Sequence, residues 1–286
     1  MSTMTDDTAI AVRGLRKSYG GTPAVDGVDL EVRRGEVFAL LGPNGAGKTT
    51  TVEILEGYRK RDAGEVDVLG ADPQHAGAEW RARVGIVLQG TGEFDDLTVA
   101  EVVRHFARFY PHPDDPDKVI ERVGLGAKTR ARTHTLSGGQ KRRLDVALGI
   151  VGRPDLLFLD EPTTGFDPEA RREFWELIRD LSAAGTTIVL TTHYLEEAET
   201  LADRLGVINN GALIAVSTPA ALGDRESAPA TVTWRGADGA HERKRTATPT
   251  AFVAELAARL GGEIPGLTVS RPTLEDVYLS MIGHDA

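Results

Sequence analysis

The stretch Gly42-Pro43-Asn44-Gly45-Ala46-Gly47-Lys48-Thr49-Thr50 decides how the rest of this sequence is interpreted. An apolar run, Val37–Leu41, precedes it, and a helix-like segment from Thr50 to Tyr58 follows it. In the order strand, loop, helix, the pattern G-x-x-x-x-G-K-[ST] predicts a loop whose backbone N–H groups surround a phosphate. The motif assigns Lys48 to the terminal phosphates and the Thr49 hydroxyl to Mg²⁺. A glycine-rich turn without a ligand is the alternative.

Composition limits the class of protein. The 286 residues are long enough for one large domain, or for a large and a small one. A formal net charge of −10 argues against a dedicated nucleic-acid binder, whose domains carry a basic face. The chain has no cysteine, which excludes disulfides and thiolate zinc sites. No apolar stretch approaches the ~20 residues that span a bilayer, and the polar N-terminus is unlike a signal peptide. We expect a soluble or peripheral protein.

Short apolar runs alternate with helix-like segments over most of the chain, which predicts an α/β core with a mostly parallel sheet. The predicted strands are Ala9–Val12, Ala24–Val32, Val37–Leu41, Glu65–Leu69, Val84–Leu88, Leu156–Leu159, Thr187–Thr191 and a hairpin through Val207–Ile214. The predicted helices include Thr50–Tyr58, Leu97–Tyr110, Val119–Leu125, one through Leu144–Val151 and one that begins at Pro168. We assign residues 9–220 to this domain.

From about Leu222 the pattern changes to that of a small α+β domain, which we assign to residues 221–286. Its predicted elements are a strand at Ala230–Arg235, a turn at Asp238-Gly239, a polar edge strand at His241–Thr246, a helix capped by Thr248-Pro249, a strand at Leu267–Ser270 and a last helix that opens with a capping box at Thr273–Asp276.

Two acids follow the apolar run Leu156–Leu159. At the carboxyl end of a strand beside a phosphate loop, Asp160 can hold Mg²⁺ directly or through water. The adjacent Glu161 can orient and activate an attacking water. An acidic strand end without a catalytic role is the alternative.

The segment Leu136-Ser137-Gly138-Gly139-Gln140 lies at the start of the predicted helix through Leu144–Val151. A serine and two glycines at a helix start can bind an anion, or the serine can serve only as a helix cap. A second anion site would exceed what one triphosphate requires.

Together these segments resemble the cassette of ABC-type ATPases over about residues 9–220. The residues that carry the resemblance, in order and approximate spacing, are Gly42–Thr50, Gln89, Leu136–Gln140, Leu156–Glu161, Asp167 and His193. A second segment, Pro272–Tyr278, is similar to the daunorubicin-resistance type of ATP-binding subunit, a bacterial multidrug-exporter group. The resemblance implies a P-loop cassette with a mostly parallel core sheet, an antiparallel β N-terminal subdomain, an α-helical signature subdomain and the small C-terminal α+β appendage.

The resemblance also implies ATP and Mg²⁺ as cofactors and a role for each matched residue. Glu161 becomes the general base or water-orienting group, and His193 contacts the γ-phosphate and the attacking water. The implied catalytic residues are Glu161, His193, Lys48 and Gln89, and the implied metal ligands are Thr49, Gln89 and Asp160. Tyr19 is implied to stack on adenine. The other implied nucleotide contacts are Gly42, Pro43, Asn44, Gly45, Ala46, Gly47, Lys48, Thr49, Thr50, Ser137, Gly138, Gly139 and Gln140.

A head-to-tail dimer follows from the same resemblance. Ser137, Gly138 and Gly139 would close over the nucleotide bound by the other subunit, with Asp167 at the interface. Phe166 stands where the family usually has leucine, so we expect that interface to be repacked. One phosphate loop and one signature per chain imply a second cassette, which we expect to be another copy of this chain.

The function that these expectations describe is an ATPase subunit of a drug, small-molecule or lipid-like exporter. Without a spanning segment it needs separate polytopic membrane permease subunits and a peripheral place on the cytoplasmic side of the cell membrane. An importer subunit is the competing interpretation, and only the tail favours export. A soluble ABC ATPase that acts on nucleic acid or ribosomes is disfavoured by the negative charge, the single cassette and the lack of a long coiled coil. A non-hydrolysing regulator is disfavoured by Glu161 and His193.

Overall fold

The computed structural model describes residues 7–87, 94–225, 227–236 and 239–283. The chain divides into two compact units between Val216 and Ser217. This division falls close to the boundary expected after residue 220. The assignment of an ATPase function to the first unit and an accessory one to the second stays a prediction.

The described elements follow the predicted order. The strands are β1 Thr8–Tyr19, β2 Thr22–Arg33, β3 Val37–Leu41, β4 Ala63–Val68, β5 Val84–Val87, β6 Leu156–Asp160, β7 Thr187–Thr192, β8 Arg204–Asn209, β9 Ala212–Ser217, β10 Ala230–Arg235, β11 His241–Thr246 and β12 Thr268–Ser270. The helices are α1 Lys48–Leu55, α2 Ala78–Arg81, α3 Val99–Ala107, α4 Pro116–Arg122, α5 Gly138–Ile150, α6 Pro168–Ala183, α7 Leu195–Leu201, α8 Pro249–Leu260 and α9 Leu274–Met281.

The central sheet of the first unit has the described strands in the order β5-β6-β7-β3-β8-β9. The pairs from β5 to β8 are parallel, as predicted. Every residue of β3 and β7 is buried, because a parallel sheet is covered on both faces. β8 and β9 form the predicted hairpin, in which Asn210 and Gly211 both take positive φ.

The N-terminal sheet has the order β2-β1-β4 and is antiparallel. The prediction that the first strand ends at Val12 is wrong, because β1 continues to Tyr19. Gly14 at φ 57° lies in a register shift, and its N–H donates to Asp29 Oδ1 at 2.7 Å. This bulge returns Leu15 to the buried face, so the strand goes on beyond a break in its alternation.

Helix α7 begins two residues after His193 and was not predicted from the sequence. Its buried residues are Glu197, Ala198 and Leu201, which are spaced as on one face of a helix. Three of the seven residues of α7 are glutamates, which are usually exposed, so the sequence shows no apolar face. One of them, Glu197, is in fact buried. A pattern read from apolar residues alone could not assign Glu197 to the interior.

The second unit is a three-stranded antiparallel sheet in the order β11-β10-β12 with its own small core. Trp234 and Val232 on β10 pack with Leu256 of α8. The predicted capping box at Thr273 is present, but the Thr248 hydroxyl makes no cap bond to α8. Asp238, from the predicted turn, lies outside the described residues. Of the helices in the described ranges, none is both long and apolar enough to cross a membrane.

Glu56, at the end of α1, is a buried acid of the first unit. It lines a cavity of about 370 Å³ together with Trp80, Phe106 and Tyr110. Burial raises the pKa of Glu56 from 4.5 to about 7, with a further contribution from the charges of Asp160 and Glu53. Because the folded state holds this proton more tightly than the unfolded chain, the free energy of unfolding falls as the pH rises from about 4.5 to about 7.

We therefore expect Glu56→Gln to stabilise the protein at pH 8 and to leave its stability nearly unchanged at pH 4.5. The gain at pH 8 is at most about 3 kcal/mol, the free energy of a shift from 4.5 to about 7. Urea denaturation at both pH values measures it. Glu176→Gln, which removes an exposed carboxylate of α6, serves as the control and should give no such difference. Equal effects of Glu56→Gln at the two pH values would contradict this account.

Candidate functional site

The carboxyl ends of β3, β6 and β7 lie at the same edge of the central sheet. Leu41 of β3 pairs with Thr192 of β7, and Thr191 pairs with Asp160 of β6. The segments that follow these strands therefore converge, as they do at the carboxyl edge of other open α/β sheets. These segments are the phosphate loop, Glu161 and His193.

The backbone of the phosphate loop approaches two neighbouring elements too closely for side chains. A Cβ on Gly47, which has φ 101°, would lie 2.2 Å from the carbonyl oxygen of Ala24 on β2. A Cβ on Gly42 would lie 2.4 Å from the carbonyl oxygen of Ile208 on β8. The Gly211 N–H donates to Ala46 O at 3.0 Å and fastens the loop to the β8–β9 hairpin. Glycine is therefore required at both positions.

The start of α1 presents unused donors to the inside of the loop. The first bond along the helix runs from Thr51 N to Gly47 O, at 2.9 Å. The N–H groups of Lys48, Thr49 and Thr50 consequently have no acceptor within the helix. Together with the positive end of the helix dipole, these donors suit the phosphates of a nucleotide.

The Lys48 side chain is 6% exposed and is held inside the loop. Its Nζ donates to Gly42 O at 2.7 Å and to Pro43 O at 3.2 Å. Burial lowers the pKa of Lys48, and the negative charges of Glu161 and Asp160 offset this only in part. Neutral carbonyl groups are weak partners for an ammonium group, so a phosphate that enters the loop would be a better one.

Asp160 and Glu161 are both anchored to β7. The Thr191 hydroxyl donates to Asp160 Oδ1, and the Glu161 N–H donates to Thr191 O and Oγ1 at 3.1 Å each. The Glu161 backbone has φ 44°, an uncommon conformation for a non-glycine residue. His193 Nδ1 lies 3.2 Å from Glu161 Oε1. The structure thus brings together two residues that are 32 positions apart in the sequence.

Three residues that position this site were missed from the sequence. Thr191 binds both acids as described, and the Thr164 hydroxyl donates to Glu161 Oε2 at 3.3 Å. Arg142 of α5 is 7% exposed and donates to Asp160 O at 2.7 Å and to Pro162 O at 3.1 Å. In the sequence Arg142 stands between Lys141 and Arg143, and this basic run gives no signal that its middle residue is buried.

The donor set fits Mg²⁺ bound together with a nucleotide. Mg²⁺ is held by one or two protein oxygens and completes its six ligands with phosphates and water. The exposed Thr49 hydroxyl and the Asp160 carboxylate supply hard oxygen donors of this kind. Within the described ranges no group of three or more His, Cys, Asp or Glu could hold a metal. Gln89, the other expected ligand, lies outside the described residues.

The Leu136–Gln140 segment lies at the start of α5. Ser137 caps the helix through a capping box with Gln140, in which the Ser137 N–H donates to Gln140 Oε1 at 3.1 Å. Gly138 is exposed, and a Cβ there would meet nothing within 4 Å. The helix-cap interpretation is therefore correct locally, while an anion contact from this segment stays a prediction.

Asp167 and Tyr19 have local contacts of their own. Asp167 caps α6 by accepting from Glu169 N at 3.0 Å and Ala170 N at 2.9 Å, and the preceding Phe166 ring packs edge-on against Phe174. Tyr19 ends β1 with 43% exposure, between Lys17 and Arg59. The expected dimer contact of Asp167 and adenine contact of Tyr19 stay predictions.

The fold and this site define a nucleotide-binding α/β ATPase. The family described as ABC transporter matches residues 25–164 of the chain. The chain is 37% identical to the daunorubicin resistance ATP-binding protein DrrA3 of Streptomyces coeruleorubidus, over 98% of this chain and 97% of that one. It is 41% identical to the Nod factor export ATP-binding protein I of Ralstonia nicotianae, over 96% and 94% of the two chains. The chain therefore belongs to the ABC transporter family.

Solved structures agree with this assignment. The cbiO1 protein of Clostridium perfringens, part of the ABC transporter complex cbiONQ, is 30% identical, with a TM-score of 0.69 over 75% of this chain and 90% of that chain. The ATP-binding cassette MJ1267 in its ADP conformation, at 24% identity, shares the fold with a TM-score of 0.67 over 76% and 92%. The chain is an ABC ATP-binding subunit and an ATPase, and subunits of this kind work with membrane permease partners.

We expect Gly47→Ala to abolish ATP binding and to lower the free energy of unfolding by at least about 2 kcal/mol. The alanine must adopt a left-handed backbone conformation, and its Cβ also clashes with Ala24 O. Gly21→Ala is the matched control, since Gly21 also has positive φ but a Cβ there would meet nothing within 4 Å. The control should lose about 1 kcal/mol and keep its ATP affinity. Titration with a fluorescent ATP analogue and urea denaturation measure both quantities, and equal losses in the two variants would refute the steric argument.

Proposed function

We propose that this chain supplies the energy for export of a small molecule, with Glu161 as the group that orients and activates the water that attacks ATP. The observation that supports this is the convergence of the phosphate loop, Glu161 and His193 at one edge of the sheet. A phosphate cradle alone would suit any P-loop protein. A carboxylate and an imidazole placed beside it are what hydrolysis needs.

The proposed chemistry is largely electrostatic. Phosphoryl transfer spreads negative charge over the transferred group, and preorganised donors stabilise that charge. Here the donors are the Lys48 ammonium and the N–H groups at the start of α1. We infer that Lys48 exchanges its bonds to Gly42 O and Pro43 O for bonds to the nucleotide.

Glu161 is suited to act on water because its side chain is held from two sides. Oε1 faces His193 Nδ1 at 3.2 Å, and Oε2 accepts from Thr164 at 3.3 Å. The side chain remains 20% exposed, so a water molecule can reach it. His193, at 39% exposure, can hold the same water or the terminal phosphate.

Thr49, Asp160 and Gln89 are the residues that we expect to hold Mg²⁺. Mg²⁺ bound there would neutralise charge on the phosphates of ATP and hold them in place. Thr49 and Asp160 provide oxygen donors, and Thr191 keeps the Asp160 carboxylate oriented by a hydrogen bond.

The complete site requires a second cassette, which we expect to be another copy of this chain. The Ser137–Gly139 segment, whose first two residues are exposed, would close over the nucleotide held by the other subunit, and the exposed Asp167 would line that interface. ATP would then favour the dimer, and hydrolysis would release it. Such a ligand-biased equilibrium between two states can drive movement of an attached membrane protein.

We expect Glu161→Gln to lower the turnover number at least about 100-fold while ATP affinity stays unchanged, because the amide cannot accept a proton from water. The variant should also accumulate as a dimer with ATP and Mg²⁺, as measured by size exclusion with light scattering. Glu169→Gln, an exposed neighbour at the start of α6, is the control and should keep full turnover. A variant that binds ATP yet stays monomeric would rule out ATP as the link between cassettes.

The direction of transport is proposed from the relatives. One is named for daunorubicin resistance and another for Nod factor export, and each matches nearly the whole of this chain. We infer that this chain serves a small-molecule or lipid-like exporter from the cytoplasmic face of the membrane, as a peripheral protein. An importer subunit is the alternative.

We expect affinity purification of the tagged chain from detergent-solubilised native membranes to recover a polytopic membrane protein in stoichiometric amount. The physical reason is that an ATPase without a spanning helix in its described residues needs a membrane partner to move cargo. The untagged chain is the control for carry-over. Recovery of ribosomal proteins or nucleic acid in place of a membrane protein would overturn the transporter assignment of this chain.

A further inference from the structure

Glu197 is a fully buried carboxyl to which the proposed reaction assigns no role. It lies on α7, just after the strand that leads to His193. Its Oε1 accepts a hydrogen bond from Trp175 Nε1 at 3.4 Å, and its Oε2 has no hydrogen-bond partner of ordinary geometry among the described residues. Burying an ionisable group costs free energy that an apolar side chain of similar size would not. Packing alone therefore does not explain a carboxyl at this position.

Two threonine hydroxyls are placed to interact with this carboxyl. Burial raises the pKa of Glu197, and hydrogen bonding from Thr192 and Thr163 opposes that effect. Both threonines are fully buried. Thr192 Oγ1 accepts from Tyr194 N at 2.9 Å, which leaves its own proton to be donated. Thr163 Oγ1 completes no ordinary hydrogen bond within the described ranges, so the nearby carboxyl is an acceptor toward which it can turn.

These threonines lie next to the proposed catalytic pair in the chain, Thr163 in the segment after β6 and Thr192 at the end of β7. Thr163 follows Glu161 by two residues, and Thr192 directly precedes His193. The third contact, Trp175, lies on α6, the helix that Asp167 caps. The Glu197 carboxyl of α7 therefore lies beside α6, the end of β7 and the segment that follows Glu161.

We propose that Glu197 is a positioning residue that holds the buried Thr163 and Thr192 beside it and thereby sets the placement of Glu161 relative to His193. The distance that it controls is the 3.2 Å between Glu161 Oε1 and His193 Nδ1. Because Glu197 is fully buried, it acts through these residues and does not contact the nucleotide. This inference rests on the roles proposed above for Glu161 and His193.

The test compares Glu197→Gln and Thr163→Val with the wild-type chain. Glutamine keeps the shape of the side chain but leaves one acceptor oxygen where the carboxylate has two. Each variant should lower kcat about tenfold or more while KM for ATP changes less than about twofold, because misplacement of reacting groups slows chemistry without weakening binding. Glu196→Gln, a 74%-exposed neighbour on α7, is the control and should keep full activity. Wild-type kcat in both test variants would overturn the proposal.

A double-mutant cycle with His193→Ala separates positioning from a merely structural role. Without the imidazole there is less for Glu197 to position, so Glu197→Gln should lower the single-turnover rate by less than about twofold in the His193→Ala background. An unchanged factor in the two backgrounds would refute the proposal. Thr163→Val is measured in the same two backgrounds, so the proposal can still be tested when Glu197→Gln does not fold.

The outcome also distinguishes this inference from the proposed function. Full turnover in both Glu161→Gln and His193→Ala would mean that the proposed catalytic roles are wrong. Impaired turnover in those two variants, with normal turnover in Glu197→Gln and Thr163→Val, would mean that only the positioning role is wrong. Urea denaturation of each variant confirms that the compared proteins are folded.

Discussion

The close approach of the phosphate loop to β2 and to the β8–β9 hairpin is the constraint on which the site depends. Gly42 and Gly47 permit it, since a Cβ at either position would lie within 2.4 Å of a backbone oxygen. The loop held in this way directs the Lys48 side chain inward and leaves the first N–H groups of α1 without helical acceptors. The central sheet then brings Glu161 and His193 to the same place, because its parallel strands end at one edge.

Several charged side chains are buried near this edge, and nearby groups of opposite charge offset part of the free energy that their burial costs. Burial lowers the pKa of Lys48 and of Arg142, and nearby acids offset part of each change. Arg142 binds the backbone of the loop that carries Glu161, so α5 is coupled to the proposed catalytic group through hydrogen bonds. Since Ser137 caps α5, the same helix carries the segment expected to contact a second cassette and the arginine that binds the backbone on either side of Glu161.

Much of the fold was predictable because its elements keep a simple pattern. β3, β6 and β7 are buried on both faces and appear as apolar runs, and β10 of the second unit alternates between buried and less buried residues. Prediction failed where a local exception interrupts the pattern. The bulge at Gly14 hid the second half of β1, and the acidic composition of α7 hid a helix whose buried face includes Glu197.

The sequence by itself determined the phosphate loop, the order of the elements and the identity of the acids and the histidine, because these depend on residue type and short-range spacing. Only the tertiary structure decided that Glu161 faces His193, that Thr191 binds both acids, and that Arg142 and Glu197 are interior. These contacts join residues brought together by the pairing of β6 with β7 and by the packing of helices on the sheet. Such pairings are set by the whole fold, so no local pattern in the chain encodes them.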